Sequence, residues 1–174
     1  MADTPRSLSD LQTILANNTS GAISPQDVRD FLVTALGVYG SITCFEASTQ
    51  QDNPDTGAKL TCFTTNGAAN GTTPDHTNDQ ITINVAGVYD IAFQASFSGT
   101  SSSETRFRLR KGGTEQNYGC VRKLGTAGDV GSASFFAPGV ALVATDVITV
   151  YVEMGGATDD LTVVDAQLSV KMVG

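Results

Sequence analysis

From Asp79 onward the sequence is a series of short segments in which apolar and polar residues alternate. Ile81, Ile83 and Val85 alternate with polar residues, and a second alternating run begins after Gly87. A period of two places every second side chain on one face, as in a strand that is buried on one side only. Turn residues separate the segments at intervals of roughly eight to twelve residues, which predicts an antiparallel sandwich or jelly roll and argues against βαβ units.

The β block is predicted to begin near residue 41 and to contain about eight to ten strands. Strands are expected at 41–48, 58–64, 80–85, 87–97, 106–110, 118–124, 132–136, 140–143, 147–154 and 161–172, with a polar loop at 65–78. A chain of 174 residues with 40% hydrophobic content can bury one core of this kind. The predicted fold class is therefore mainly β: an antiparallel jelly-roll sandwich over residues 41–174, preceded by a short helical arm over residues 1–40.

Two short amphipathic helices are predicted in the arm. Ser7 is placed to cap the first, and Ser24 caps the second, which continues with Pro25 at its first position. Asp27 lies near the positive end of the second helix dipole, and Gly37 suits a left-handed stop. The apolar stripes are Leu8, Leu11, Ile14 and Leu15 in the first helix, and Val28, Phe31, Leu32, Ala35 and Leu36 in the second.

These helices are too short to be stable by themselves. Burying a large stripe residue contributes about 1.5–3 kcal/mol, whereas ordering each residue costs about 1–2 kcal/mol of backbone entropy. Helix nucleation is also unfavourable at this length. The arm therefore needs another surface, which is either its own β domain, a neighbouring copy or a foreign scaffold.

Net charge and hydropathy exclude two classes of partner. The net charge of −8 and the pI near 4.4 argue against a protein that neutralises nucleic-acid phosphates. No apolar run approaches the roughly 18 residues of a membrane span, and residues 1–10 lack the apolar core of a signal peptide. The sequence predicts no nucleic acid or membrane partner, and synthesis in the cytosol.

No catalytic or metal-binding pattern is present in the sequence. His76 is the only histidine, and it has no nucleophile at a recognisable spacing. Cys44, Cys62 and Cys120 are odd in number and lack CxxC spacing, which argues against a zinc site or a disulfide framework and leaves a Cys44–Cys62 pair open. The pair Asp159-Asp160 offers too few ligands for calcium. We expect no enzymatic activity, no cofactor and no metal.

The basic residues are concentrated in one part of the chain. Of the 10 basic residues, six lie between positions 106 and 123: Arg106, Arg108, Arg110, Lys111, Arg122 and Lys123. They are candidates for a polar interface with carboxylates of a neighbouring subunit or with an acidic cell-surface glycan. The alternative is a solvated strand face that Glu104 and Glu115 balance.

The order of features in the β block resembles a known family. Gly87-Val88-Tyr89 with its alternating continuation, the segment Leu142-Val143-Ala144-Thr145-Asp146-Val147-Ile148 and a final long strand ending near Met172 resemble the trimeric jelly roll of the C1q and tumour necrosis factor superfamily. The sequence departs from the family pattern at Thr145, where Gly usually precedes Asp, and at Leu168, where Phe is common. The resemblance implies a homotrimer, with aromatic residues in the core or at the threefold interface: Tyr89, Phe93, Phe97, Phe107, Phe135, Phe136 and Tyr151.

The arm has a resemblance of its own. Residues 19–31, with the sequence TSGAISPQDVRDF, resemble a segment near the start of many tailed-bacteriophage virion proteins. Together the two resemblances imply a virion protein, made in the bacterial host cytoplasm, that decorates or cements the capsid as a homotrimer. The stripe residues of the arm, from Leu8 to Leu36, would then anchor it to the major capsid protein or another virion protein.

Two other functions are weighed against capsid decoration. The chain is alternatively the receptor-binding tip of a tail or head fibre, contacting host surface polysaccharide through loops at 65–78, 112–119 and 155–160. The sequence lacks the long shaft repeats that a fibre needs. A secreted ligand of the C1q or necrosis-factor type conflicts with the missing signal peptide.

Overall fold

The computed structural model describes residues 10, 13, 23–35, 37–52, 54–126, 128–156 and 158–174, without the side chains of residues 32–35 and 55. The predicted anchor positions Leu8, Leu11, Ile14, Leu15 and Leu36, the side chain of Leu32 and the predicted cap Ser7 lie outside this description.

Helix α1 spans Pro25–Ala35 and begins as its sequence predicts. The Asp27 N–H donates to Ser24 Oγ at 3.2 Å, while the Ser24 N–H donates to Asp27 Oδ2 at 2.9 Å. This reciprocal arrangement is a capping box, which satisfies donors that a helix start leaves unpaired. Gly37 has φ +85°, the left-handed conformation expected just after the helix.

The rest of the described chain is β-structure with a short 3-10 turn at Pro54–Thr56. The strands are β1 (Tyr39–Cys44), β2 (Thr49–Asp52), β3 (Ala58–Lys59), β4 (Thr65–Asn66), β5 (Thr72–Asp75), β6 (Gln80–Ile83), β7 (Gly87–Gly99), β8 (Glu104–Lys111), β9 (Thr114–Lys123), β10 (Gly131–Leu142), β11 (Val147–Met154) and β12 (Asp160–Met172). Sheet I has the order β10-β7-β12-β1-β4 with β2 on β12, and sheet II has the order β5-β6-β11-β8-β9 with β3 on β11. Because all pairings are antiparallel, the predicted jelly-roll sandwich is confirmed.

The core lies between the two sheets and is built around aromatic rings. Phe93 from sheet I packs against Phe107 from sheet II with ring centroids 5.2 Å apart, and Phe97 lies equally close to Phe107. The Tyr89 side chain is also fully buried, and its hydroxyl donates to the Val85 carbonyl at 2.6 Å. Burial raises the pKa of Tyr89 to about 12, so the hydroxyl keeps its proton and this hydrogen bond.

The structure corrects several predicted element bounds. The first strand begins at Tyr39, before residue 41, and the predicted polar loop at 65–78 contains strands β4 and β5. The strands predicted at 132–136 and 140–143 are one strand, β10, with a register shift between Ala137 and Val140. Pro138 and Gly139 lie in that shift, and the Gly139 N–H donates to Asp90 Oδ1 at 3.0 Å. A β-bulge at this point explains why the sequence alternation is interrupted.

The contact loop predicted at 112–119 is a hairpin turn followed by the first residues of β9. Gly112 and Gly113 have φ +54° and +82°, and β9 begins directly after them at Thr114. Two consecutive residues with positive φ are the requirement of a type I′ hairpin turn, which two glycines meet without strain. The predicted loop surface for polysaccharide is therefore reduced at this place to a two-residue turn.

Thr145 occupies the position at which the resembling family usually has glycine. Its φ is +77°, which is a strained conformation for a β-branched side chain. The turn is held by hydrogen bonds on both sides, from the Thr145 N–H to the Ile83 carbonyl at 2.7 Å and from the Asp146 N–H to the Val143 carbonyl at 3.1 Å. The backbone thus keeps the glycine-like turn although the residue has changed.

Candidate interaction surfaces

The outward face of sheet I carries mostly small, uncharged side chains, with Asp90, Asp165 and Lys171 as charged members. Inward residues of β1, β7, β10 and β12 form the core, so the alternate residues of these strands face solvent. Gln94 on β7 donates from Nε2 to Gln167 Oε1 on β12 at 3.2 Å near the middle of this face. Its other members across the four strands are mostly Ser, Thr and Ala: Ser41, Thr43, Ala92, Ser96, Ser132, Ser134, Thr162 and Ser169. A water-exposed face with so few charges differs from an ordinary solvated surface.

Two recesses lie on this face of sheet I. The larger, of about 740 Å³, runs between β1 and β10 and is lined by residues that include Thr43, Gln94 and Ser134, with Phe45 at its rim. The smaller, of about 360 Å³, has Phe136 among its lining residues. The side chains of Phe45 and Phe136 are 79% and 58% exposed, so this polar face is flanked by large apolar groups without cover in a single copy.

Phe136 belongs to a transverse row that crosses sheet I. The register pairs Phe136 with Ala92, Ala92 with Ser169, and Ser169 with Ser41. A large ring on the edge strand β10 therefore stands beside a floor of three small side chains. Each copy of the chain presents both a projecting ring and a recess on the same sheet face.

The structure divides the predicted aromatic set into three locations. Tyr89, Phe93, Phe97, Phe107 and Phe135 point inward and are at least nine-tenths buried, so a single copy already uses them for its core. Phe136 points outward from sheet I. Tyr151 is not in the core, because Val150 and Val152 take the inward positions of β11, and it lies under Arg110 with the guanidinium carbon 3.9 Å from the ring centroid. This is a cation–π arrangement on the outward face of sheet II.

An arginine stripe of three β8 residues, Arg106, Arg108 and Arg110, lies on that same outward face of sheet II. Arg106 contacts Glu104 at 2.8 Å and Glu153 at 3.2 Å. Arg108 and Arg110 each approach Glu115 at 3.8 Å. Lys111 reaches Asp146 at 3.9 Å, and Arg122 and Lys123 are exposed on β9. Since carboxylates of the same chain lie beside the charges on β8, this face has the contacts of a solvated, internally balanced strand, and such pairs contribute little to stability.

Helix α1 presents apolar side chains to solvent. Val28 and Phe31 are 49% and 45% exposed. Within the described part of the chain, no strand packs extensively against α1. Among the described side chains of α1, the one that is buried is polar. It belongs to Asp30, which is 1% exposed and accepts a hydrogen bond from Gln26 Nε2 at 2.7 Å. At Val28 and Phe31, the apolar stripe predicted from the sequence is therefore exposed to solvent.

In the described part of the chain, the hydrogen-bond partner of the His76 side chain is Asn66. Its ring Nδ1 lies 3.2 Å from Asn66 Oδ1, and its backbone N–H donates to the same oxygen at 2.7 Å. Among the described residues, no group of three or more His, Cys, Asp or Glu side chains is placed to hold a metal ion. The helices in the described ranges are also too short to span a lipid bilayer.

Sequence reasoning missed the outward face of sheet I because it looked for charged or aromatic motifs. The signal was present as Ser, Thr, Gln and Ala at the alternate positions of four strands, where solvated strands usually carry Lys, Glu or Arg. It also missed Asp79, whose Oδ1 accepts the N–H groups of Cys62 at 3.0 Å and Phe63 at 3.1 Å. An aspartate before a strand gives no sign in the sequence that it is buried.

Comparisons with known proteins agree with this architecture. Neither a protein-family profile nor a curated protein matches the sequence. Among solved structures, Eiger TNF from S. frugiperda matches with a TM-score of 0.62 at 11% identity, covering 79% of this chain and 93% of that chain. Murine APRIL at pH 8.5 matches with a TM-score of 0.51 at 13% identity, covering 77% of this chain and 99% of that chain.

The chain has a jelly-roll fold of the tumour necrosis factor type. At this level of identity the likeness establishes the fold of the TNF-like jelly roll and not its activity. The resemblance stated from Gly87 to Met172 is confirmed at the level of the fold, while the virion resemblance of residues 19–31 stays a prediction.

Proposed function

We propose that this chain is a non-enzymatic structural protein of a tailed-bacteriophage virion, which decorates or cements the capsid as a homotrimer held by its N-terminal arm. The observation that carries the proposal is the contrast between the two parts of the chain. The TNF-like jelly roll closes its own core with six buried aromatic rings among the described residues, whereas α1 leaves Val28 and Phe31 half exposed without extensive contact to either sheet there.

The outward face of sheet I supports the trimer. Interface cores are depleted in charged residues, and this face consists mostly of Ser, Thr, Ala and Gln side chains. The projecting Phe136 ring of one copy can insert into the recess over Ala92 and Ser169 of the next copy. A contact between two different patches of identical subunits is heterologous, and it closes into a ring when the rotation suits. Three such contacts would cover Phe136 and the smaller recess in every subunit.

Three arms on one trimer would bind the shell more tightly than one marginal helix binds alone. An amphipathic helix binds a groove through apolar residues spaced three and four apart, and Val28 and Phe31 have that spacing. Once one arm is bound, the other two bind at a high effective concentration set by their tether to the same trimer. The partner of the proposed anchor is an apolar groove on the major capsid protein or another shell protein.

Removing the arm tests the proposal. A chain starting at Val38 keeps the whole described β-structure, and its occupancy on purified capsids is measured by co-sedimentation beside the full chain. We expect occupancy to be lost while the trimer persists. A Val28→Ser, Phe31→Ser double variant should also lose occupancy, whereas Arg29→Ser, on an exposed polar position of the same helix, should retain it.

Full occupancy of the shortened chain would contradict the anchor. Binding of that shortened trimer to host cells would favour the alternative, a receptor-binding fibre tip.

A further inference from the structure

Two cysteines that are 18 positions apart in the sequence meet in the core. Cys44 is the last residue of β1, and Cys62 lies in the connection that leads from β3 in sheet II to β4 in sheet I. Their residues are only 4% and 3% exposed, and both belong to the same core cluster.

Backbone pairing holds the two segments side by side. Thr43 is the register partner of Thr65, and the Thr64 N–H donates to the Thr43 carbonyl at 2.9 Å. On the other side of Cys62, its N–H is fixed by the Asp79 carboxylate at 3.0 Å. By the Thr43–Thr65 register, Cys62 lies two positions from the partner of Cys44, which makes the two residues diagonal neighbours. A disulfide requires their Cβ atoms to approach to about 3.5–4.5 Å.

The side chains of Cys44 and Cys62 lie close enough for each to shift the pKa of the other. Their mutual interaction lowers the pKa of Cys44 and raises that of Cys62; burial adds to the second effect. The pair therefore has one thiol that ionises first and a second thiol in contact with it. Cys120 is on the edge strand β9 of sheet II, where its half-buried residue pairs in register with Phe107.

Both residues border surface recesses. Cys44 lines the larger recess of sheet I. Cys62 lines a separate recess of about 450 Å³, together with His76 and Asp79. Both residues are nearly fully buried, so a small reagent reaches their thiols from these recesses through a local opening of the fold.

We propose that Cys44 and Cys62 form a redox modification site that closes to an intramolecular disulfide by exchange with a small-molecule disulfide. The thiolate of Cys44 attacks one sulfur of the reagent, forms a mixed disulfide and releases the first reagent thiolate. Cys62 then loses its proton and attacks the Cys44 sulfur, which releases the second. The protein loses two protons and two electrons, and the reagent is reduced to two thiols.

The cross-link would tie the end of β1 to the connection between the sheets. It encloses residues 45–61, including β2, which otherwise joins sheet I through β12. Closing a loop of this length restricts the unfolded chain, which predicts a rise in the melting temperature of about 5–10 °C. The disulfide would then link the end of β1 to the segment in which the chain crosses from sheet II to sheet I.

The test treats the reduced full-length protein with hydroxyethyl disulfide and follows its intact mass, its free thiols and its melting temperature. We expect a mass loss of two hydrogens, one remaining free thiol, a cross-linked peptide joining Cys44 to Cys62, and the higher melting temperature. Cys120→Ser is the matched control and should behave like the parent apart from its missing free thiol. Cys44→Ser should end as a mixed disulfide or stay reduced, without the rise in melting temperature.

Three outcomes would overturn the proposal: no mass change in the parent protein, a stable reagent adduct on Cys44 without closure, or a cross-link that involves Cys120. Since the decisive measurement uses the unmodified sequence, a folding defect in any variant does not obscure the result.

Discussion

At the scale of single residues, two of the four non-glycine residues with positive φ in the described chain, Thr145 and Asp79, adopt this conformation for different reasons. Thr145 has φ +77° in a turn that its hydrogen bonds impose, and its side chain adds strain. Asp79 has φ +46°, a conformation that Asp tolerates better, and its carboxylate accepts two backbone N–H groups. Thr145 is therefore unfavourable for its backbone conformation, whereas Asp79 serves as a hydrogen-bond acceptor for the backbone.

Replacing Thr145 by glycine should stabilise the protein. Strain at a left-handed non-glycine residue costs about 1–3 kcal/mol. Glycine relieves this strain, but it also raises the conformational entropy of the unfolded chain, which offsets about 0.5–1 kcal/mol of the gain. We expect Thr145→Gly to raise the free energy of unfolding by about 1 kcal/mol, measured by denaturant unfolding. Thr145→Ala, which keeps a Cβ in the left-handed region, serves as the control and should gain less. A loss of stability in Thr145→Gly would disprove strain at this turn.

The Asp79 carboxylate should stabilise the protein by accepting hydrogen bonds from two backbone N–H groups. Asp79→Ala leaves both buried donors without an acceptor, so we expect a loss of about 1–3 kcal/mol in the free energy of unfolding. Asp79→Asn keeps a side-chain oxygen and should lose less. Equal losses in the two variants, measured by urea denaturation, would mean that the oxygen is not the stabilising group.

Burial raises the pKa of Asp79 above its ordinary value of 3.8, although the N–H groups of Phe63 and Cys62 act in the opposite direction. The folded protein therefore holds this proton more tightly than the unfolded chain. As the pH rises from 3.8 through the folded pKa, the unfolded chain ionises first and the stability of the parent protein falls relative to Asp79→Asn. Stability curves of both proteins across this range measure the difference. A parent protein that gains stability relative to Asp79→Asn would show a lowered pKa instead.

At the scale of elements, local signals predicted the helix start and the regularly alternating strands. Ser24, Pro25 and Asp27 act within a few residues of one another, and β7 alternates regularly between buried and more exposed residues from Val88 to Ser98. Prediction failed where an element depends on a partner strand. The short strands β4 and β5 are too polar to be recognised alone, and β10 looked like two strands because of its bulge at Pro138 and Gly139.

The cap of α1 should stabilise this helix alone. Ser24→Ala removes the acceptor of the Asp27 N–H, and an N-cap of this kind contributes about 1 kcal/mol. Because α1 has no extensive contact with the sheets among the described residues, we expect faster amide exchange in α1 but the same melting temperature for the jelly roll. Hydrogen exchange and near-ultraviolet circular dichroism measure the two effects. A lower melting temperature in Ser24→Ala would show that the helix packs on its own β domain.

At the scale of the whole molecule, the decisive question is what covers sheet I. The core aromatics are already used within one subunit, so an assembly has to use outward residues such as Phe136 and Phe45. The stripe on sheet II is balanced by its own glutamates, which makes it a poorer candidate for a strong contact between copies.

Phe136→Asp should dissociate the proposed trimer. The substitution places a charge in the recess that a neighbouring subunit would fill, and an unpaired buried charge is strongly unfavourable. We expect a monomer by light scattering at concentrations where the parent protein is trimeric, with an unchanged melting curve for the isolated jelly roll. Val121→Asp, at a similarly exposed valine on β9, is the control and should remain trimeric. A trimeric Phe136→Asp would remove sheet I from the interface.

The sequence by itself determined which side chains of the longer strands point inward and where α1 begins, because alternation and capping depend on neighbours within a few positions. Only the tertiary structure decided that Phe136 stands in one row with Ala92, Ser169 and Ser41, and that Cys44 meets Cys62. These juxtapositions follow from strand order and register. Strand order and register are set by pairings between distant segments, and a single sequence carries no local signal for them.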